Sequence, residues 1–195
     1  MIAVSGISGA GKSSVIARAL VLLGDAVSLR FDDYTAVSTY PADLGAWAAR
    51  GANVDEFLTP QLASDLRALR SGQPIAPPSA TTQIIPAAFI LVEEPFGKMR
   101  SEMQELIDLA AHIDVPPDVL LARRLLRRLR EERHEYGERI AEQLERDLEA
   151  HLSRGRGLDA LGSQAIRDHA DVVLDGTKTI DELAETLVTE IRRRR

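Results

Sequence analysis

The sequence predicts an α/β chain: a mainly parallel five-stranded sheet between two layers of helices. Three observations predict it. Short apolar runs recur between segments of helical spacing, the alternation that builds parallel sheets. Those runs are apolar throughout rather than alternating, as in strands covered on both faces. The first run leads through a glycine-rich stretch directly into a helix. A length of 195 residues suits one domain, 1–195, with its own core.

Each element has a local reason. Ile2 to Ser5 is apolar and ends at a glycine, which reads as a buried strand. Lys12 to Leu23 has helical spacing and stops near Gly24. Ala26 to Phe31 reads as a second strand closed by Asp32 and Asp33. Residues 35–60 are irregular to partly helical. Thr59-Pro60 then opens a helix to about Arg70, with Gly72 as its C-cap. Ala87 to Val92 is a third strand, followed by Glu93 and Glu94. The spacing predicts a helix over Ser101 to Ala111 and a short strand over His112 to Val115. Pro117 opens a basic helix through Arg130, and a charged helix spans Glu138 to Leu152. Gly155, Gly157 and Gly162 loosen the chain before a fifth strand, Ala170 to Leu174, and a closing helix, Thr179 to Arg192.

Composition narrows the function classes. The formal net charge is −6, so no global field draws the chain to nucleic acid or to an acidic membrane. Without cysteine there are no disulfides, thiolate metal sites or thiol nucleophiles, which suits a reducing compartment. No apolar run approaches the roughly 18 residues of a membrane span. No signal peptide is expected ahead of Ile2. A soluble, cytoplasmic chain with no nucleic-acid or membrane partner is expected, and its oligomeric state has no signature in the sequence. The basic residues comprise 21 arginines and three lysines, so a lone arginine says little about a site.

Residues 6–13 read GISGAGKS, a match to G-x-x-x-x-G-K-[ST] in its required place between a strand and a helix. Such a P-loop binds a nucleoside triphosphate and predicts the three-layer α/β/α P-loop NTPase fold. Gly6 and Gly11 let backbone N–H groups converge on phosphate oxygens where a Cβ would intrude. Ser8, Gly9, Ala10 and Ser14 complete the cradle, and the helix start adds its positive end. Lys12 is expected to reach the β and γ phosphates, and the Ser13 hydroxyl to ligate Mg²⁺. The base-reading N-K-x-D element of GTPases is absent.

The second strand ends in FDDY, residues 31–34. A carboxylate there stands at the crevice where open α/β sheets bind ligands. It could accept a proton from a hydroxyl or help hold Mg²⁺. Successive strand side chains point to opposite faces, so one of the two aspartates is expected to face the P-loop. Tyr34, Tyr40, Trp47 and Asp55 follow in the region that faces the crevice and are candidate acceptor contacts.

These motifs together resemble the uridine kinase and phosphoribulokinase family of P-loop kinases, over most of the chain. IAVSGISGAGKSSV is similar to that family's first strand, loop and helix. FDDY resembles its D-S-[FY]-Y element, which implies Asp32 as catalytic base. FILVEE resembles the strand ending in a glutamate near Mg²⁺, here Glu93. DVLLARRLLRR followed by EER resembles the lid, about 123–139, and implies that Arg123 and Arg127 embrace phosphates. ADVVLDGTKTIDEL resembles the last strand and the loop beside adenine, which brings in Lys178. The resemblance implies ATP, Mg²⁺ and phosphoryl transfer to the hydroxyl of a small molecule. Residues 76–86, APPSATTQIIP, depart from the family's Y-D-F…H-x-R acceptor segment, so uridine is not implied. A nucleoside monophosphate kinase, another P-loop phosphotransferase and a nucleotide-binding accessory protein without acceptor activity remain as alternatives.

The span 123–133 holds six arginines and two glutamates. Arg123 and Arg127 share one helix face at i, i+4 spacing, as do Arg124 and Arg128, and two or three of the six are expected to touch nucleotide. His112, His134, His151 and His169 form no zinc spacing and read as structural or surface residues.

Overall fold

A computed structural model describes residues 1–79, 82–131, 139–152 and 164–194. Five strands, β1 (Ile2–Ser5), β2 (Ala26–Arg30), β3 (Phe89–Glu93), β4 (Leu109–Asp114) and β5 (Val172–Asp175), form one sheet in the order β2-β3-β1-β4-β5. All four pairings are parallel. The helices are α1 (Lys12–Leu23), α2 (Leu44–Ala49), α3 (Pro60–Arg70), α4 (Ser101–Gln104), α5 (Pro117–Glu131), α6 (Arg139–Ala150) and α7 (Ile180–Arg193).

Strand alternation distributes the core to the two faces. Ile2 and Val4 of β1 pack with Val15, Ile16 and Ala19 of α1 and with Leu183, Leu187 and Ile191 of α7. Ala3, between them, points the other way and joins Leu62 and Leu66 of α3, Met103 of α4 and Tyr34. The result is the three-layer α/β/α arrangement, with β1 at its centre and the phosphate loop at the carboxyl end of β1.

Local sequence explains most element ends. Thr179 caps α7 through a reciprocal box with Glu182, whose side chain accepts from Thr179 while its own N–H donates to the Thr179 hydroxyl. Asp43 caps α2 by accepting from the Ala46 N–H. Pro60 opens α3, where a missing N–H costs nothing.

The structure corrects one stretch. The expected helix over Ser101 to Ala111 ends at Gln104, and β4 begins at Leu109 rather than His112. Residues 109–114 lie between β1 and β5 and are almost wholly buried. A strand buried on both faces loses its period-two signature, so its apolar residues also fit helical spacing.

Arg133, His134 and the lid segment 132–138 lie outside the described residues, as do Gly155, Gly157 and Gly162. Among the described residues no helix is long and apolar enough to cross a membrane.

Candidate active site

The loop between β1 and α1 builds the site's floor. Gly11 takes a left-handed conformation, φ 96°, and no side chain caps α1. The first N–H groups of that helix are therefore left for a ligand, at the end where the helix dipole is positive. A Cβ on Gly6 would lie 3.1 Å from the Ile113 carbonyl oxygen, so glycine lets the loop cross close over β4. Ala10 is fully buried beneath the loop.

Lys12 curls back over the loop, its Nζ donating to the Gly6 carbonyl at 2.9 Å. The same ammonium is 3.5 Å from Glu93 Oε1. Ser13 Oγ donates to Glu93 Oε2 at 2.8 Å. A glutamate at the end of β3 thus meets the two P-loop side chains that chemistry assigns to phosphate and metal.

Asp32 completes the polar set. The chain leaves β2 as a 3₁₀ turn, Phe31–Val37, which sends the two aspartates apart. Asp32 lines a cavity of about 700 Å³ shared with Gly6, Ser8, Gly9, Gly11, Lys12, Ser13, Ser14, Glu93, Arg123 and Arg127. Asp33 instead accepts from Arg30 Nε at 3.1 Å and Nη2 at 2.7 Å.

The site has donors for a hard cation without being a closed cage. No group of three or more acidic or histidine side chains fit to hold a metal occurs among the described residues. Ser13, Glu93 and Asp32 fit Mg²⁺, which typically binds through one or two carboxylates and takes its other oxygens from phosphate and water.

The base of α5 is fastened to two loops. Arg124 Nε donates to the Ser8 carbonyl at 2.9 Å, and Arg123 Nη2 to the Gly176 carbonyl at 2.9 Å. Arg127 lines the cavity and has no hydrogen-bond or ion-pair partner among the described residues. Lys178 lies apart, in a cleft between β5 and α7 with Asp175 and Glu182.

None of the four acceptor candidates lines the cavity. Tyr34 is fully buried and donates to Asp65 at 2.7 Å, and burial followed by that carboxylate pushes its phenol far up. Asp55 accepts from the Ser101 N–H and hydroxyl, both at 2.7 Å, and these two donors hold its carboxyl below the usual range. Trp47 donates to the Asn53 carbonyl at 2.8 Å and stands edge-on to Phe57. Tyr40 stacks on Phe31, behind the cavity wall.

What sequence reasoning missed is the wall itself: Phe31, Phe57, Pro95, Phe96 and Ile166. It also missed the foundation. Glu94, which follows Glu93 at the end of the third strand, is fully buried. It accepts from Arg100 Nε at 3.1 Å and Nη2 at 2.6 Å. Arg100, also fully buried, donates Nη1 to the Phe57 carbonyl at 2.6 Å, to Thr59 Oγ1 at 2.8 Å and to Glu102 Oε1 at 2.6 Å. Burial pushes the Glu94 carboxyl up, and the Arg100 guanidinium opposes it. The one available signal was an arginine flanked by glutamates in a chain where arginine is common. His112 is buried with Nδ1 3.1 Å from Ser5 Oγ, and burial pushes its pKa down.

No family model and no curated protein matches the sequence. Solved structures do match. Shikimate kinase from Acinetobacter baumannii, determined with shikimate, aligns at TM-score 0.50 with 15% identity, covering 100% of this chain and 93% of its own. A proposed fructose transport system kinase from Silicibacter sp. TM1040 aligns at TM-score 0.44 with 19% identity, covering 89% of this chain and 88% of its own. With the five-stranded parallel sheet, its flanking helices and the loop after β1, the chain has the three-layer α/β/α P-loop fold.

Proposed function

We propose that the chain is an ATP-dependent, uridine kinase-like small-molecule kinase that moves the γ-phosphoryl group onto an alcohol. The observation that carries the reading is the meeting of Lys12, Ser13, Glu93 and Asp32 around one cavity at the phosphate loop. Loop N–H groups and Lys12 would hold the β and γ phosphates, in exchange for the bond from Lys12 to Gly6. Ser13, with Glu93 and Asp32, would hold Mg²⁺, which supplies charge neutralisation on the phosphate oxygens. Asp32 would orient the acceptor hydroxyl and take its proton as the acceptor oxygen bonds to the γ-phosphorus. The bond from that phosphorus to the bridging oxygen breaks, and ADP leaves. Arg123 and Arg127 would stabilise charge on the transferring group. The lack of cysteine suits a cytoplasmic setting.

The test is acceptor-stimulated ADP formation across alcohols, with ATP affinity measured separately. Lys12→Ala should weaken ATP binding or abolish turnover without lowering the nucleotide-free Tm. Asp32→Asn should keep ATP binding and lose about 10²- to 10⁴-fold in kcat, while Asp33→Asn should be mild. Tight ATP binding with no stimulation by any acceptor would leave a nucleotide-binding accessory protein instead. Wild-type ATP affinity in Lys12→Ala would remove the phosphate-loop assignment.

A further inference from the structure

Four histidines occur in the chain, and one of them is sealed beneath the phosphate loop. His112 of β4 and Ser5, the last residue of β1, are register partners on adjacent strands, and both are fully buried. His112 Nδ1 lies 3.1 Å from Ser5 Oγ, which itself donates to the Ala111 carbonyl at 3.1 Å. A hydroxyl has one proton to give. With that proton on the carbonyl, the ring supplies the other, so Nδ1–H donates to Ser5. In mid-strand such a pair would only satisfy two buried polar groups. Here it grips the residue from which the chain leaves β1 for Gly6.

The pair lies one layer below the cavity. Alternation puts Ser5 on the face of Ala3 and His112 on the face of Ala110, toward α3 and α4. Gly97 and Ile166 close over it there. A Cβ on Gly97 would lie 3.9 Å from Ser5 Oγ and 4.0 Å from Ile166 Cγ2, and Ile166 lines the cavity. Through one hydroxyl, His112 thus fixes the backbone beside Gly6, whose carbonyl accepts from the Lys12 ammonium at 2.9 Å.

Charge around the ring decides what else it can do. Burial weighs most and pushes the imidazole pKa down. Asp114, on the same strand, favours the imidazolium, while Arg167 and Lys12 oppose it. Arg167 precedes β5 and pairs with Asp114 at 2.7 Å. Glu93, 3.5 Å from the Lys12 ammonium, offsets part of that charge. Other ionisable groups on the elements packed here engage one another: Glu94 pairs with Arg100, and Lys98 with Asp171. Asp168 accepts from Gln164, and His169 Nδ1 lies 2.8 Å from the Ala165 carbonyl oxygen. A nucleoside polyphosphate would bring several negative charges onto Lys12, outweighing the opposition that Lys12 sets up. The imidazolium keeps its Nδ1–H, so the ring can charge without releasing Ser5.

Resting on the phosphate-loop reading above, we infer that His112 is a positioning residue of that loop, holding Ser5 in place and taking up a proton when a nucleoside polyphosphate binds. Nucleotide and proton then favour each other. The imidazole of the empty protein stays neutral to lower pH than that of the complex. Affinity therefore rises as pH falls through the titration of the complex, and the coupling is absent above it.

The test measures Mg²⁺–ADP affinity by calorimetry on the full chain from about pH 5 to pH 8, the range in which imidazoles titrate. The protonation of ADP itself is common to every variant. His112→Asn keeps an N–H near the Nδ1 position but cannot take up a proton, and His112→Leu lacks both properties. Wild type should gain about 10-fold in affinity toward the acid end beyond any gain in His112→Asn, and the two should agree at the alkaline end. There His112→Leu should bind about 10-fold more weakly than both, with its nucleotide-free Tm checked. Ser5→Ala, a second route to the same loss, should keep the acid-side gain because its ring still charges. The His112 Cε1–H proton resonance, assigned by its loss in His112→Asn, should titrate at higher pH with Mg²⁺–ADP than without. Equal pH dependence in wild type and His112→Asn, or a resonance that ADP leaves unmoved, would overturn the proton uptake. Wild-type affinity in both His112→Leu and Ser5→Ala would overturn the positioning role. Lys12→Ala separates the two readings. If it binds ADP normally, the phosphate-loop reading falls; if it binds weakly while wild type and His112→Asn agree at every pH, that reading stands and this inference falls.

Discussion

The Arg100–Glu94 pair is the foundation of the aromatic wall, and its weight can be measured. Both side chains are fully buried, and Glu94 spans the guanidinium edge with two hydrogen bonds. In Glu94→Leu the Nε and Nη2 protons lose their acceptor, while Nη1 keeps the Phe57 carbonyl, Thr59 and Glu102. In Arg100→Met the carboxylate keeps only the Phe96 N–H at 3.3 Å. Removing one partner of a buried pair costs about 3–5 kcal/mol. For a chain of this length each kcal/mol moves Tm by about 2–4 °C, so each single variant should melt roughly 6–20 °C lower. Replacing both partners by apolar groups removes the stranded charge, and such exchanges are often neutral. The Glu94→Leu/Arg100→Met double variant should therefore be at least as stable as the better single variant. Urea and thermal unfolding of all four proteins without nucleotide give the cycle. The single variants should also raise the acceptor KM more than they change ATP affinity, because Arg100 holds the Phe57 carbonyl and underlies Phe31. Additive losses, with the double variant falling by about 6–10 kcal/mol, would refute the reasoning, since uncoupled residues add.

Other outcomes are expected from separate features. Arg127→Ala should lower kcat about 10- to 1,000-fold, and by more than it raises the acceptor KM; an unchanged kcat in steady-state assays would place Arg127 on a solvated face. Gly176→Ala should destabilise by about 1–3 kcal/mol, because overpacking a tight site forces neighbours to move. Its added Cβ would lie 2.2 Å from Val115 Cγ2 and 2.8 Å from the Asp114 carbonyl oxygen, and a wild-type Tm would contradict that crowding. Burial alone would push the Asp171 carboxyl up, but the Ala110 N–H, Lys98 and Arg194 together hold it below the usual range. A depressed folded pKa gives stability that is present above the unfolded value of about 3.9 and is lost as pH falls through the folded pKa. Asp171→Asn should therefore cost stability in urea unfolding at pH 7 and progressively less below pH 4; a constant difference would deny the charge its role.

The sequence made the phosphate end of the site readable and left the acceptor end hidden, for a physical reason. Binding phosphate needs consecutive backbone N–H groups, so Gly6 to Ser13 carry the function in one unbroken stretch. Asp32 and Glu93 were readable because each stands at the end of an apolar run that marks a strand. The alternation argument separated Asp32 from Asp33 on a strand, whereas the two diverge on a 3₁₀ turn. Phe31, Phe57 and Phe96 meet only because β2 and β3 are neighbours and residues 54–59 fold back over them. Nothing local to any of the three announces that meeting. Arg100 was one arginine among 21. In β4, pairing with β1 and β5 overrode a helical spacing that the apolar residues also satisfied.

The uncapped start of α1 has a consequence for the protein's lifetime as well as its chemistry. Helix ends usually recover stability by bonding their first N–H groups to a side chain, and this helix does not. The deficit is returned by whatever anion enters the loop. A ligand at 100 times its Kd adds about 2.7 kcal/mol to the folded state, which for a chain of this size is several degrees of Tm. Resistance to unfolding and to proteolysis thereby becomes a running measure of loop occupancy. Depletion of that ligand should then lower the folded fraction itself.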